Sequence, residues 1–145
     1  MKKIYLAGPL FSLAEREFNI LFAQMIESGM NDVEVILPQK RASRFLSLEN
    51  GKKLIFEDCL KMVEKADIVL AILDGPDADS GTSVELGYAY AIKTPIIGVR
   101  TDFRISEDKG LNLMLSNICS TLIIDISSDM TGLVNSVIKA IGENL

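Results

Sequence analysis

Ala66-Asp67-Ile68-Val69-Leu70-Ala71-Ile72-Leu73-Asp74-Gly75-Pro76 is the stretch on which the fold turns. The apolar run from Ile68 to Leu73 is short and is bounded by Asp67 and by the breaker Asp74-Gly75-Pro76. It therefore reads as a strand buried on both faces, the kind found in parallel sheets that helices cover on either side. The flanks agree. Ahead of it Ile55, Cys59, Met62, Val63 and Ala66 share one helical face; after it Gly81-Thr82 opens a helix to about Ile92, and Pro95 to Val99 reads as another strand.

Further out the alternation continues. Ile4 to Ala7 is an apolar run ended by Gly8-Pro9, and Ser12 with Glu15 forms a capping-box signature ahead of Phe18, Leu21, Phe22, Met25 and Ile26 at helical spacing. Val33 to Leu37 reads as a strand closed by Pro38, and Gln39 to Ser47 as a polar, basic loop of the length that often carries function. Residues 101–120 read mostly as connection, Leu122 to Ile126 as a fifth strand, and Leu133, Val134, Val137, Ile138 and Ile141 as the buried face of a last helix. The expectation is one α/β domain over residues 1–145: a doubly wound, flavodoxin- or Rossmann-like, five-stranded parallel sheet with helices on both faces. Ligands of such sheets bind beyond the carboxyl ends of the strands, so the informative loops follow Ala7, Leu37, Leu73 and Val99.

Composition narrows the chemistry. The 145 residues are 48% apolar and 24% charged, values of a globular chain. Fifteen basic against twenty acidic residues leave a net charge of −5 and no run of cations able to follow a phosphate backbone, so nucleic acid is not an expected partner. Cys59 and Cys119 lie far apart and form no metal-spaced cluster, which fits free thiols in a reducing, cytoplasmic compartment. Lys2-Lys3 and the apolar residues after them imitate a signal peptide, but Gly8-Pro9 and Glu15-Arg16 interrupt it and no small-residue cleavage pattern follows. No segment reaches the roughly 20 apolar residues of a membrane span, so no membrane partner is expected. The chain contains no histidine. That removes Ser-His and Cys-His nucleophile pairs and His-based metal sites, and leaves acid-base work to carboxylates, Lys, Tyr or Cys.

The densest constellation is Asp74-Gly-Pro-Asp77-Ala-Asp79-Ser-Gly81-Thr-Ser-Val-Glu85-Leu-Gly-Tyr, at the end of a strand and the start of the next helix. Crowded carboxylates raise one another's pKa by repulsion and burial, a route by which a chain without histidine obtains both an acid and a nucleophile. Spacing alone equally allows a structural reading, with Thr82 and Glu85 as a capping box and the aspartates complementing the helix dipole. Asp74 also stands where a receiver domain keeps its phosphoacceptor, yet the first strand's end lacks an acidic pair for magnesium and no Lys ends the fifth strand.

Ile4-Tyr5-Leu6-Ala7-Gly8-Pro9, Ala66-Asp67-Ile68-Val69, Asp79-Ser80-Gly81-Thr82-Ser83-Val84-Glu85-Leu86-Gly87-Tyr88-Ala89 and Asn112-Leu113-Met114 together resemble, in order and spacing, the nucleoside 2-deoxyribosyltransferase family over residues 4 to about 118. The resemblance implies that Glu85 attacks the anomeric carbon and forms a covalent deoxyribosyl-enzyme, with Tyr5 holding its orientation, as in a retaining glycosidase. It implies that Asp79 and Asn112 bind the sugar's 5'-hydroxyl, that a neighbouring subunit of a homo-oligomer supplies Asn112 and Met114, that Gln39 bonds the base and that Phe11 walls the pocket. The resemblance also implies that Gly8 and Gly81 belong to the substrate-binding loops. Deoxynucleosides and free nucleobases are the implied partners, with no cofactor and no metal. Against these roles, Tyr5 and Met114 also fit core packing, Asn112 a helix cap, Gln39 a solvated loop and Phe11 a hydrophobic staple.

One departure concerns the general acid. The family's Asp lies eight residues before the counterpart of Asp67, which here is Cys59, with Asp58 just before it. A one-residue shift at the helix end restores Asp58; without it Asp58 faces about 100° away. Two rival functions stand beside the transferase. A deoxynucleoside 5'-monophosphate N-glycosidase on the same fold holds phosphate with small hydroxyl residues, for which Ser80 and Ser116 are available while Asp79 repels a phosphate dianion. A non-catalytic nucleotide-sensing module leaves Tyr5, Asp79, Glu85 and Asn112 together unexplained.

Overall fold

The computed structural model describes residues 1–104 and 111–145. Strands β1 (Lys2–Ala7), β2 (Val33–Ile36), β3 (Ile68–Ile72), β4 (Ile96–Arg100) and β5 (Thr121–Ile124) form one sheet in the order β2-β1-β3-β4-β5, every neighbouring pair parallel. This is the doubly wound arrangement expected, with its switch point between β1 and β3. The connections are α1 (Leu13–Gly29), α2 (Pro38–Ala42), α3 (Gly51–Lys65), α4 (Ser80–Ala91) and α5 (Leu113–Ile118), and α6 (Met130–Asn144) follows β5.

Successive side chains of a strand face opposite sides, and β1 shows how this builds two cores. Ile4 and Leu6 pack with Phe22 and Ile26 of α1 and Val137 and Ile141 of α6. Tyr5 and Ala7 pack on the other face with Met62 and Val63 of α3, Leu86 and Ala89 of α4 and Leu115 of α5. All five residues of β3 are buried, as its unbroken apolar run requires. At the open edge of the sheet, the Val35 N–H of β2 donates to Glu27 Oε1 of α1 at 2.8 Å.

One expectation is corrected. Residues 39–47 do not begin as a loop: Pro38 opens α2 at the first helical position, where its missing N–H costs nothing. The stretch 101–120 holds one short element within its connection, where Asn112 caps α5 and begins a helix over Leu113–Ile118; residues 105–110 of that stretch lie outside the described residues. Among the described residues no helix is long and apolar enough to cross a membrane.

Candidate active site

Helix α4 begins one turn earlier than a Thr82–Glu85 capping box requires. Asp79 is the N-cap, its carboxylate accepting from Thr82 N at 2.8 Å and from Thr82 Oγ1 at 3.1 Å. An Asp cap answers the free N–H groups of the first turn, which releases Glu85, in the second turn, from any capping duty. Its carboxylate instead meets β1: Tyr5 Oη donates to Glu85 Oε1 at 2.6 Å, a short charge-assisted bond.

Burial sets the electrostatics of this pair. Desolvation, reinforced by the negative charge of Asp79, pushes the Glu85 carboxyl up to about 7, against the opposing hydrogen bonds from Tyr5 and Cys59. Tyr5 is fully buried, and burial, followed by the Glu85 charge, drives its hydroxyl far above the usual phenol range, so it stays a proton donor. Burial likewise raises the Cys59 thiol, whose electrostatic neighbours are Tyr5 and Glu85. The residue brought to Glu85 from α3 is thus Cys59.

Asp58 is not brought there. It accepts from Arg41 Nε and Nη2 at 2.6 Å each, a bidentate pair, and these bonds hold its carboxyl below the ordinary carboxylate range. A carboxylate kept ionised in this way is poorly placed to donate a proton. The physical reason is the helix itself: neighbouring positions on α3 point about 100° apart, so Cys59 facing Tyr5 turns Asp58 toward α2.

The remaining nominated residues fall into three groups. Gln39, in α2, is bound at both ends, its Oε1 accepting from Asn19 Nδ2 at 3.1 Å and its Nε2 donating to the Arg16 carbonyl at 2.9 Å. Asn19 also donates to the Pro9 carbonyl at 3.0 Å, so one buried amide ties the β1–α1 loop to Gln39. That loop carries Gly8, where a Cβ would stand 3.1 Å from Ile72 Cβ, and Phe11, which is 72% exposed. Phe11 is no staple, since the position it would meet in α1 is Arg16, whose guanidinium donates to the Phe11 carbonyl at 2.6 Å. Gly81, in the first turn of α4, faces the Asp79 carboxylate, its Cβ position 3.1 Å from Oδ2. Asn112 caps α5 by accepting from Met114 N at 2.9 Å, and Met114 is 70% exposed, so it is not core.

The acids before α4 do separate work. Asp74 accepts from Thr101 N, Thr101 Oγ1 and Asp102 N at 2.6, 2.5 and 3.0 Å, binding the loop after β3 to the loop after β4. Asp77 accepts from Ala78 N. Of the three, only Asp79 adds its charge to Glu85. Sequence reasoning missed the residue that holds this edge together: Arg100, 2% exposed, donates to the carbonyls of Leu73, Gly75 and Arg104. Its signal was a cation closing the apolar run Ile96 to Val99. Gly75, at φ 115°, is the turn residue this clamp requires. A cleft of about 610 Å³ opens over Ile72, Asp74 and Phe18 on the α1 face, but Glu85 is not in its walls and its carboxylates are spent on internal bonds. Among the described residues no group of three or more Cys, Asp and Glu is placed to hold a metal.

A doubly wound parallel sheet with a half-buried, tyrosine-bonded glutamate at its carboxyl edge defines a small single-domain α/β protein. The chain belongs to the nucleoside 2-deoxyribosyltransferase family, whose model matches residues 4–114. It is 31% identical over 124 residues to an uncharacterized protein of Ureaplasma parvum serovar 3, covering 74% of this chain and 75% of that one. A conserved protein from Enterococcus faecalis V583 superposes with a TM-score of 0.80 at 28% identity, covering 97% of this chain and 98% of the other. The 2-deoxyribosyltransferase of Bacillus psychrosaccharolyticus shares the fold, with a TM-score of 0.71 at 24% identity over 90% and 95% of the two chains.

Proposed function

We propose that the chain exchanges the base of 2'-deoxynucleosides through a covalent deoxyribosyl-Glu85 intermediate. The observation that carries this reading is the 2.6 Å bond from Tyr5 Oη to Glu85 Oε1. It fixes one carboxylate oxygen and leaves the other to attack. A carboxyl near 7 is partly ionised at neutral pH and more nucleophilic than an ordinary surface carboxylate.

In the reaction Glu85 attacks the anomeric carbon as the C–N bond breaks through an oxocarbenium-like transition state, and the bond's electron pair leaves with the base. A second base then displaces Glu85, so two inversions restore the configuration. The proton that the acceptor base gives up matches the one the departing base takes up, and the exchange needs no cofactor. Tyr5 holds the nucleophile in place and Asp79, with Asn112 and Met114 from a neighbouring subunit of a homo-oligomer, grips the 5' end. Gln39 and Phe11 address the base, while Gly8 and Gly81 let the loops approach it. Asp58, committed to Arg41, is assigned to anchoring α2 on α3 rather than to proton donation. The setting is salvage of deoxynucleosides in the cytoplasm.

The test is to incubate the protein with 2'-deoxyadenosine, with and without free hypoxanthine, and separate the products. Deoxyinosine formed only with hypoxanthine present supports exchange. Free deoxyribose at the same rate in both arms replaces the transferase with a hydrolase, and no product from either arm removes both.

A further inference from the structure

A groove of about 370 Å³ runs beside β2 between that strand, α2 and α3. Its walls carry Lys3, Lys40, Arg41, Arg44 and Lys65 against a single lining acid, Glu34. Five of the fifteen basic residues of a chain of net charge −5 thus face one concavity. Arg41 is committed to Asp58. Lys3, Lys40, Arg44 and Lys65 form no side-chain ion pair among the described residues. With Asp58 counted beside its partner, the groove holds a net charge of +3.

Like charges gathered in a concave wall repel one another and focus a positive potential into the space between them. An anion that enters converts this repulsion into binding. The track is short: four residues of β2 span about 13 Å, too little for a run of nucleic-acid backbone but matched to a small molecule, whose pockets start near 300 Å³. The cations sit at both ends, with Lys3 and Lys65 by the start of β2 and Lys40 and Arg44 beyond its finish. Charge spread along a ligand suits that spacing better than one compact anion. Phosphoryl oxygens are the usual partners of such Lys and Arg sets.

We propose that this groove is a second ligand site, which binds a small phosphorylated molecule carrying two or more phosphoryl groups. Glu85 is not in its walls, so the site stands whatever reaction Glu85 performs. Titration calorimetry of the full chain at low salt, with inorganic phosphate, inorganic pyrophosphate and a short single-stranded oligonucleotide, tests it. Pyrophosphate is expected to saturate at one per chain and to bind more tightly than phosphate. The double variant Lys40→Gln/Lys65→Gln should weaken it about tenfold or more, and Glu85→Gln should leave it unchanged. Should the double variant melt early, Arg44→Gln serves in its place with the same expected direction. No saturable binding, an affinity that the cation variants do not move, loss of binding in Glu85→Gln, or an oligonucleotide that outcompetes pyrophosphate each overturns the proposal.

Discussion

Tyr5 and Glu85, eighty positions apart in the chain, share a hydrogen bond of 2.6 Å at the carboxyl edge of the sheet. The bond joins β1, whose register is set by pairing with β3, to the second turn of α4. The Glu85 carboxylate is thereby tied to a central strand as well as to its own helix.

Glu85→Gln should abolish turnover while the protein stays folded. Asp79, not Glu85, caps α4, so the substitution does not incur the roughly 0.5–2 kcal/mol of a lost cap. Steady-state kinetics and thermal melts on the same preparation check this. A variant that turns over at a near-normal rate removes Glu85 from the mechanism.

Tyr5→Phe keeps the buried ring and deletes one charge-assisted bond. At about 1.5–3 kcal/mol for such a bond, kcat/KM should fall on the order of ten- to a hundredfold. Because the Tyr5 bond lowers the Glu85 pKa, its loss should also move the acidic limb of the pH profile upward. A fall in rate with an unmoved limb would mean that Tyr5 acts on something other than Glu85.

The same carboxyl links stability to pH. Its pKa rises on folding from 4.5 to about 7, so its contribution to stability is fully present below about pH 4.5 and is lost as pH rises through about 7. Glu85→Gln lacks this loss. The variant should therefore gain stability relative to wild type between pH 4.5 and 7, by at most about 3 kcal/mol, with a constant difference above. Paired urea melts across that window check it, and a difference independent of pH contradicts the raised pKa.

Asp79→Ser replaces one good helix cap by another and removes a charge. The melting temperature should change little. Loss of the acceptor should cost a deoxynucleoside on the order of ten- to a hundredfold in kcat/KM, while the corresponding 5'-monophosphate, relieved of repulsion, gains relative to it. Both substrates must be run on both proteins, because misfolding depresses them together. A wild type that already prefers the monophosphate, unchanged by the substitution, points to the hydrolase.

Asp58→Asn should lower stability by breaking the bidentate pair with Arg41 and leave kcat within a few-fold. A large fall in kcat with an unchanged melting temperature would return Asp58 to the role of proton donor.

The legible parts of the fold were those where one physical rule acts alone. Ile68 to Leu73 has no competing period, and β3 lies over Ile68–Ile72. The pairing of Tyr5 with Glu85 was implied by family resemblance, since nothing local in either segment points to the other. The start of α4 was not legible, because Asp79 and Thr82 are both able to cap a helix and only tertiary structure chooses between them. Cys59 and Asp58 differ by one helical step, and the choice of which meets Glu85 is made by how α3 lies against β1. Asn19 left a readable trace, a polar residue on the stripe of Phe22 and Ile26, but its partners Pro9 and Gln39 depend on the closed fold.

The Glu27 carboxylate on the Val35 N–H has a consequence for solubility. An exposed border strand invites a stranger's backbone to extend the ladder, the first step toward fibrils. Here the chain answers one of those vacant donors with its own side chain, and a negatively charged one, so an arriving strand must first displace an anion and then lie beside it. Aggregation through β2 should rise when Glu27 is neutralised.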